Sequence, residues 1–209
     1  MGLHVERSQK VIALPGPLTL SFLTYVDDLN SWVARARAAG HEVLAHVPME
    51  PLDDTVDAGP GCLRVTMSPD EVRAQLASSL NGWTGYVGVN NHMGSRFCQD
   101  RRLMNAVMEE LKSRDLVWLD SRTTAETTGK AAAAAAGVPC LERDVFIDYA
   151  DEDRAVIAQL EQLEAMGHKR GGAIAIGHPR DLTIRLLEDW LARLPQTGLT
   201  LVPLTALFG

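Results

Sequence analysis

A polar run at residues 90–97 (NNHMGSRF) directly follows an apolar segment and carries side chains suited to chemistry. It places the amides of Asn90 and Asn91, the imidazole of His92 and the guanidinium of Arg96 where a strand is expected to end. Imidazoles bind metal ions or transfer protons near neutral pH, and amides and guanidinium groups hydrogen-bond polar substrates. Because α/β proteins bind ligands at the carboxyl ends of their strands, this run predicts a functional site.

Polar residues also end the other expected strands, and three of the six histidines are among them. One histidine at a strand end is more often a structural hydrogen-bonding residue, but three at different strand ends favour a functional role. The other three, His4, His41 and His168, lie in the N-terminal segment or after a helix-ending glycine and are interpreted as ordinary. In chain order, the strand ends carry Thr24 and Tyr25, His46 with Glu50, Asn90 to His92, Asp120 to Arg122, Asp148, and His178.

Short apolar segments alternate with helical patterns, which predicts a parallel sheet. The pattern is compatible with either a doubly wound open sheet or an incomplete (β/α) barrel. Strands are predicted at 18–23, 42–49, 86–90, 116–120, 143–148, 172–177 and 199–204. Helices are predicted at 28–39, 69–80, 99–114, 124–136, 151–167 and 181–194, the second of them after the capping sequence Ser68-Pro69-Asp70-Glu71.

The composition restricts the class of protein. With 209 residues, 46% of them hydrophobic, the chain is expected to form one α/β domain over residues 1–209. A net charge of -7 without a basic stripe argues against a nucleic-acid partner. Cys62, Cys98 and Cys140 lack the C-x-x-C spacing of zinc or redox sites and are predicted to be small buried side chains. No run reaches the roughly 18 apolar residues of a membrane span, and no signal-peptide core is visible.

Four segments, taken in order, resemble the divergent polysaccharide deacetylase family. They are residues 40–51 (GHEVLAHVPMEP), 90–97, 119–124 (LDSRTT) and 176–180 (IGHPR), and the resemblance covers nearly the whole chain. It implies the NodB-like deacetylase fold, a distorted and incomplete (β/α) barrel of about seven parallel strands. It also implies hydrolysis of N- or O-acetyl groups on a polysaccharide or cell-wall glycan, with water activated by a divalent metal, commonly zinc. The family further implies a periplasmic or cell-envelope location.

The resemblance also implies a metal site. His46 corresponds to the first metal-binding histidine of the broader deacetylases, whereas Glu50 stands where those enzymes have a second histidine. A glutamate can bind zinc through oxygen, and His92 is predicted to replace the missing imidazole. The predicted metal ligands are therefore His46, His92 and Glu50, and Glu50 is also a candidate for the general base.

The remaining predicted roles concern proton transfer and substrate binding. By the same resemblance, His178 is the general acid that protonates the departing amine or alkoxide. Asp120 is expected to orient His178 or a ligand histidine. The predicted substrate-binding residues are Asn90, Asn91, Arg96 and Ser121, with Arg96 also a candidate to stabilise the oxyanion.

Two departures from the family keep other functions open: Glu50 stands in place of a histidine, and the first strand of the family is not seen in this sequence. The family begins with a strand ending in Asp-Asp, which supplies a metal ligand and the base, whereas this sequence begins at Met1 as if just after that pair. Either the start lies further upstream, which we favour, or the base is absent. An alternative is a catalytically inactive carbohydrate-binding or scaffold protein, for which Trp83, in a predicted loop, is the candidate sugar-stacking residue. A phosphate-binding loop around 171–177 is disfavoured because its glycines lack the G-x-G-x-x-G spacing.

Overall fold

Helices and strands alternate along residues 1–208, the part of the chain that this computed structural model describes. The helices are α1 (Val5–Ile12), α2 (Leu29–Ala38), α3 (Pro69–Leu80), α4 (Arg101–Ser113), α5 (Gly129–Ala136), α6 (Asp153–Arg170) and α7 (Asp181–Arg193). The strands are β1 (Thr19–Leu23), β2 (Glu42–Met49), β3 (Gly88–Met93), β4 (Val117–Asp120), β5 (Cys140–Glu142), β6 (Val145–Phe146) and β7 (Ala175–Ile176). Short 3-10 turns cover Phe97–Gln99, Leu194–Thr197 and Leu204–Leu207.

Five strands form one sheet in the order β1-β2-β3-β4-β5, and β6 pairs with β7 in a second sheet. The pairings of β2 with β3, β3 with β4, β4 with β5, and β6 with β7 are all parallel. Parallel strands need long crossover connections, and the helices between them supply these. The predicted α/β fold with a parallel sheet is confirmed.

The chain folds into two units, each with its own buried side chains. The first contains residues 1–20, 35–42 and those from 143 onward, and the second contains 21–34 and 43–142. In the first unit, α6 and α7 pack their apolar faces around Trp190, Val156 and Leu160. In the second unit the largest fully buried side chains include Trp118, Phe22 and Leu44. The domain extent of 1–209 remains a prediction.

Local signals explain where the best-predicted elements begin. Ser68 Oγ accepts a hydrogen bond from the Glu71 amide at 3.3 Å, and the Glu71 carboxylate accepts one from the Ser68 amide at 2.7 Å. This capping box starts α3 at Pro69, as predicted. Asp100 caps α4 in a similar way, through its carboxylate and the amides of Arg102 and Leu103.

Several predicted boundaries were wrong. Residues 199–204 form no strand; the Leu204 amide instead donates to Thr19 Oγ1 at 3.1 Å and the 3-10 turn follows. Strand β5 was missed, and the predicted strand 143–148 shortens to β6. Strand β3 runs to Met93, because its register with β2 continues through the pair Met49 and Met93. Asn90 to His92 therefore lie within the last residues of the strand.

His41 has the ordinary structural role that its sequence position predicts. It is buried, and its Nδ1 accepts a hydrogen bond from the Leu18 amide at 3.1 Å while Nε2 lies 2.9 Å from the Ile12 carbonyl oxygen. Because Nδ1 is the acceptor, Nε2 carries the proton. This ring ties together the backbone on either side of the α1–β1 connection.

Among residues 1–208, no helix combines the length and apolarity that crossing a bilayer requires.

Candidate functional site

The second unit brings together two of the predicted metal ligands. In the register of β2 with β3, His46 lies opposite Asn90 and Pro48 opposite His92, so the two histidines lie diagonally on neighbouring parallel strands. Their nitrogens approach closely, with His46 Nε2 3.1 Å from His92 Nδ1. The ring centroids are 4.8 Å apart and the planes are inclined by 61°. Two imidazole nitrogens at this distance share either a proton or a cation.

The distance fits two ligands of one metal ion. Zinc–imidazole bonds of about 2.0–2.1 Å at tetrahedral angles place two nitrogens roughly 3.3 Å apart. The observed separation of 3.1 Å is therefore close to that of a shared ion. Within residues 1–208, however, no group of three or more histidine, cysteine, aspartate or glutamate side chains converges as a metal site. The described part of the chain thus supplies an imidazole pair.

Glu50, the predicted third ligand and base, anchors the loop that follows β2. Its Oε2 accepts a hydrogen bond from the Val65 amide at 2.7 Å, and its Oε1 lies 3.4 Å from Arg96 Nε. The carboxylate side chain is 16% exposed. Both oxygens therefore have polar partners within the fold, and the predicted ligand and base roles receive no support from these contacts.

Arg96 is bound to the same loop. Its guanidinium donates to the carbonyls of Pro51 and Leu52 at 3.2 and 2.9 Å and forms an ion pair with Asp54 at 2.7 Å. The planar fork of an arginine suits several carbonyl and carboxylate acceptors at once. In this arrangement the side chain holds the loop after β2 against the segment after β3.

Asn90, Asn91 and Ser121 form a buried network at the ends of β3 and β4. Asn90 Nδ2 donates to the Leu119 carbonyl at 2.9 Å and to Ser121 Oγ at 2.6 Å. Asn91 Oδ1 accepts from the Ser121 amide at 2.8 Å, and Asn91 Nδ2 donates to the Met93 carbonyl, also at 2.8 Å. The asparagines are only 2% and 1% exposed. The network thus positions the two strand ends relative to each other.

Asp120 is fully buried at the end of β4. Its Oδ1 accepts from the Arg122 amide at 2.8 Å and its Oδ2 from Thr127 Oγ1 at 2.7 Å. Burial, and secondarily the nearby charge of Asp120, raises the pKa of the Cys98 thiol, and the same causes raise that of Cys140 to about 12. Burial therefore disfavours the thiolate form that nucleophilic attack or metal binding requires.

The first unit holds the third predicted histidine. Strands β6 and β7 are parallel neighbours, with Phe146 opposite Ile176, so that Asp148 and His178 follow the two strand ends together. His178 Nδ1 lies 3.1 Å from Asp148 Oδ1, and the His178 amide donates to Asp148 Oδ2 at 2.8 Å. The imidazole is 48% exposed, whereas the carboxylate is fully buried. This is a histidine–aspartate pair suited to proton transfer.

Asp148 is a further candidate site residue, to which the sequence alone assigns no role. Burial disfavours its charged form, but hydrogen bonds from the ring and amide of His178 and from the Thr183 hydroxyl outweigh burial and lower the Asp148 pKa. The carboxylate that orients His178 is thus Asp148 and not Asp120. The other role predicted for Asp120, to orient a ligand histidine, remains a prediction. The available signal was that 143–148 and 172–177 are consecutive predicted strands, the first ending in Asp148 and the second followed directly by His178.

Trp83 is largely buried in the loop after α3. Its indole N–H donates to the Ser79 carbonyl at 3.0 Å, and its ring centroid lies 4.2 Å from that of Tyr86. It nevertheless lines an open cleft of about 520 Å³, together with polar residues that include Thr24, Asp28 and Asn81. A cavity of this size accommodates a small ligand.

The parallel α/β fold of this chain is that of the NodB-like deacetylases. Residues 1–208 match the divergent polysaccharide deacetylase family, and the chain belongs to it. It is 32% identical to YibQ of Escherichia coli over 208 residues, which is all of this chain but only 65% of YibQ. It is 32% identical to a protein of Haemophilus influenzae over 196 residues, 94% of this chain and 70% of that protein.

Solved structures show the same fold. Protein ATU2773 from Agrobacterium tumefaciens is 29% identical, with a TM-score of 0.95 over 99% of this chain and 85% of that one. A mutant of a CE4 family pseudoenzyme with restored enzymatic activity is 15% identical, with a TM-score of 0.56 over 98% of this chain and 63% of that one. The second likeness shows the fold alone.

Proposed function

We propose that this protein is a metal-dependent deacetylase that hydrolyses N- or O-acetyl groups on a polysaccharide or cell-wall glycan in the periplasm or cell envelope. The observation that carries the proposal is the 3.1 Å approach of His46 Nε2 to His92 Nδ1. In the proposal, these nitrogens hold a divalent ion, with zinc favoured because imidazole is one of its usual ligands. When bound, the ion would supply an activated water and polarise the acetyl carbonyl.

Binding of the ion requires both histidines as neutral ligands. Their facing nitrogens must then both offer a lone pair, so the ring that donates its proton in the metal-free contact must carry that proton on its other nitrogen when the ion is bound. Metal affinity should therefore fall as the pH decreases, because protons compete for the same nitrogens.

His178 is proposed as the acid that protonates the departing amine or alkoxide. Its Nδ1 is directed to Asp148, which leaves Nε2 as the atom that exchanges a proton with a substrate. The lowered pKa of Asp148 keeps that carboxylate ionised, so it remains an acceptor that orients the His178 ring. The exposed half of the ring gives a substrate access to it.

The other predicted site residues are proposed to act by positioning. Asn90, Asn91 and Ser121 are buried and hydrogen-bonded to each other or to neighbouring backbone, which supports a positioning role over contact with substrate. Glu50 and Arg96 bind the loops beside the histidine pair, which supports the same role for them. Substrate contact by Asn90, Asn91, Arg96 or Ser121 remains a prediction. The metal-ligand and base roles of Glu50 also remain predictions.

Zinc binding and acetate release test the proposal together. Isothermal titration should show stoichiometric zinc for the wild type and none for the double variant His46→Ala/His92→Ala. His168→Ala, an exposed histidine in α6, is the matched control and should bind zinc as the wild type does. Acetate release from acetylated chitooligosaccharides or peptidoglycan should require zinc and His178. Unchanged zinc stoichiometry in the double variant would refute the assignment of the ligands.

A carbohydrate-binding or scaffold protein without turnover is the second candidate. Two features favour it: within residues 1–208 the histidine pair has no third converging ligand, and Trp83 lines a cleft with polar walls. The fold itself includes a protein described as a pseudoenzyme. Measurable glycan binding without acetate release, lost on Trp83→Ala and kept in His46→Ala/His92→Ala, would establish this function instead.

A further inference from the structure

The turn immediately after His92 has an unusual backbone. Met93 has φ +57° and Gly94 has φ +89°, so two consecutive residues adopt the left-handed region. Glycine adopts this region readily, but methionine does so rarely, because its Cβ crowds the backbone. Left to its local preference, Met93 would return to the extended region and the chain would leave β3 in another direction.

Two side chains hold Met93 in this conformation. The Met93 carbonyl oxygen accepts hydrogen bonds from Asn91 Nδ2 at 2.8 Å and from Thr123 Oγ1 at 2.9 Å. Asn91 is itself fixed, because its Oδ1 accepts from the Ser121 amide. The carbonyl is therefore bound both from its own strand and from the segment after β4, and we name these two hydrogen bonds the Met93 clamp.

Packing explains why the chain must turn sharply here. A Cβ on Gly94 would lie 3.0 Å from both Met49 Cβ and Cys98 Sγ, so the backbone passes directly against the end of β2. Met49 also forms the last register pair of β2 and β3, with Met93. His92 precedes that last pair by one residue, so the clamp holds the strand in register just beyond the imidazole.

We propose that Asn91 and Thr123 are positioning residues that, through the Met93 clamp, hold the His92 imidazole against His46. Thr123 is an exposed residue of the segment after β4, three residues beyond the end of that strand. The effect on metal binding rests on the proposed function, whereas the effect on the Met93 backbone does not. The two can therefore be tested separately.

Zinc affinity tests whether the clamp positions His92. Without the Thr123 hydrogen bond, only a minority of the molecules keep the left-handed turn that places His92 for zinc binding. The apparent zinc affinity then falls in proportion to that fraction. Thr123→Val should therefore weaken zinc binding about tenfold, which corresponds to a left-handed penalty of roughly 1.4 kcal/mol. Thr123→Ser, which keeps the hydroxyl, should bind zinc as the wild type does. Thr124→Val is the matched control, because Thr124 bonds Glu126 and Gln99 and makes no bond to Met93.

A second substitution distinguishes the clamp from a general loss of stability. Glycine at position 93 adopts positive φ without support, so Thr123→Val should cost at most about twofold in zinc affinity in a Met93→Gly background. An equal loss of affinity in both backgrounds would overturn the proposal. If the wild type binds no zinc, the proposed function fails. The NMR coupling constant between the amide proton and Hα of residue 93, which reports its φ angle, then tests the Met93 clamp by itself. That constant should move toward its extended value in Thr123→Val, and an unchanged constant would overturn the clamp.

Discussion

Replacing Gly129 by alanine tests whether the buried Asp120 carboxylate is held in a space that only glycine leaves free. Gly129 is the first residue of α5. A Cβ built on it would lie 2.4 Å from Asp120 Oδ2, 2.9 Å from Trp118 Nε1 and 3.3 Å from Thr127 Oγ1. Trp118 and Asp120 are fully buried, so neither side chain can swing into solvent to relieve the contact.

Two effects of opposite sign decide the result. Alanine favours a helix over glycine by up to about 1 kcal/mol, and by less at the first helical position. The new methyl group, about 1 Å closer to the carboxylate than an ordinary contact, introduces overpacking that costs roughly 1–3 kcal/mol. Displacing Asp120 from Thr127 Oγ1 removes a donor from a buried carboxylate and costs a further 1–3 kcal/mol or so. We therefore expect a net loss of about 2–4 kcal/mol in unfolding free energy.

Calorimetric melting measures this loss. For a chain of about 200 residues, it should lower the unfolding midpoint by roughly 5–15 °C. Gly172→Ala is the control, because the nearest atom to its Cβ, Leu207 Cδ2, lies at the ordinary contact distance of 3.5 Å. Its midpoint should stay close to that of the wild type. If Gly129→Ala melted at or above the wild-type temperature, the helix propensity would outweigh the contact, and the argument that Asp120 is rigidly enclosed would fail.

Two further predictions concern titratable groups. Asp148→Asn should destabilise the protein at neutral pH. Because folding lowers the Asp148 pKa, the ionised carboxylate stabilises the folded state above about pH 4. This stabilisation is lost as the pH falls through the lowered pKa. The urea unfolding midpoints of the wild type and the variant should thus converge in acid. A difference between the midpoints that stayed constant with pH would contradict the lowered pKa of Asp148. Because burial raises the thiol pKa of Cys98 and Cys140, both should react slowly with Ellman's reagent in the folded protein and rapidly in urea. Fast labelling of either thiol in the native state would show that burial does not suppress the thiolate.

Local signals made much of the fold predictable, and their absence explains the errors. Helix α3 begins where its capping box and proline place it, and β2 occupies the whole predicted range 42–49. Residues 199–204 have the apolar, β-prone composition of a strand but lie without strand partners, because β propensity depends on what a segment packs against. Strand β5 is only three residues long, too short to show an alternating pattern.

The site was predictable as a set of strand ends but not as a set of contacts. Parallel strands bring their carboxyl ends to one edge of a sheet, which is why the sequence could associate His46 with His92. Which carboxylate serves His178 depends on strand pairing, and pairing is not encoded in any local pattern. Because β6 pairs with β7 in a sheet of their own, Asp148 is the carboxylate that follows the neighbouring strand.

The His46–His92 contact itself contributes little to holding the site together, and this bears on its purpose. A hydrogen bond of this kind adds about 0.5–1.5 kcal/mol, and both rings are partly exposed. The register of β2 with β3, the buried asparagine–serine network and the Met93 clamp instead supply the forces that place the rings. Two imidazoles held together mainly by other parts of the structure are preorganised, so a cation would bind them without first having to order them. This preorganisation favours a ligand-binding role for the pair over a purely structural one.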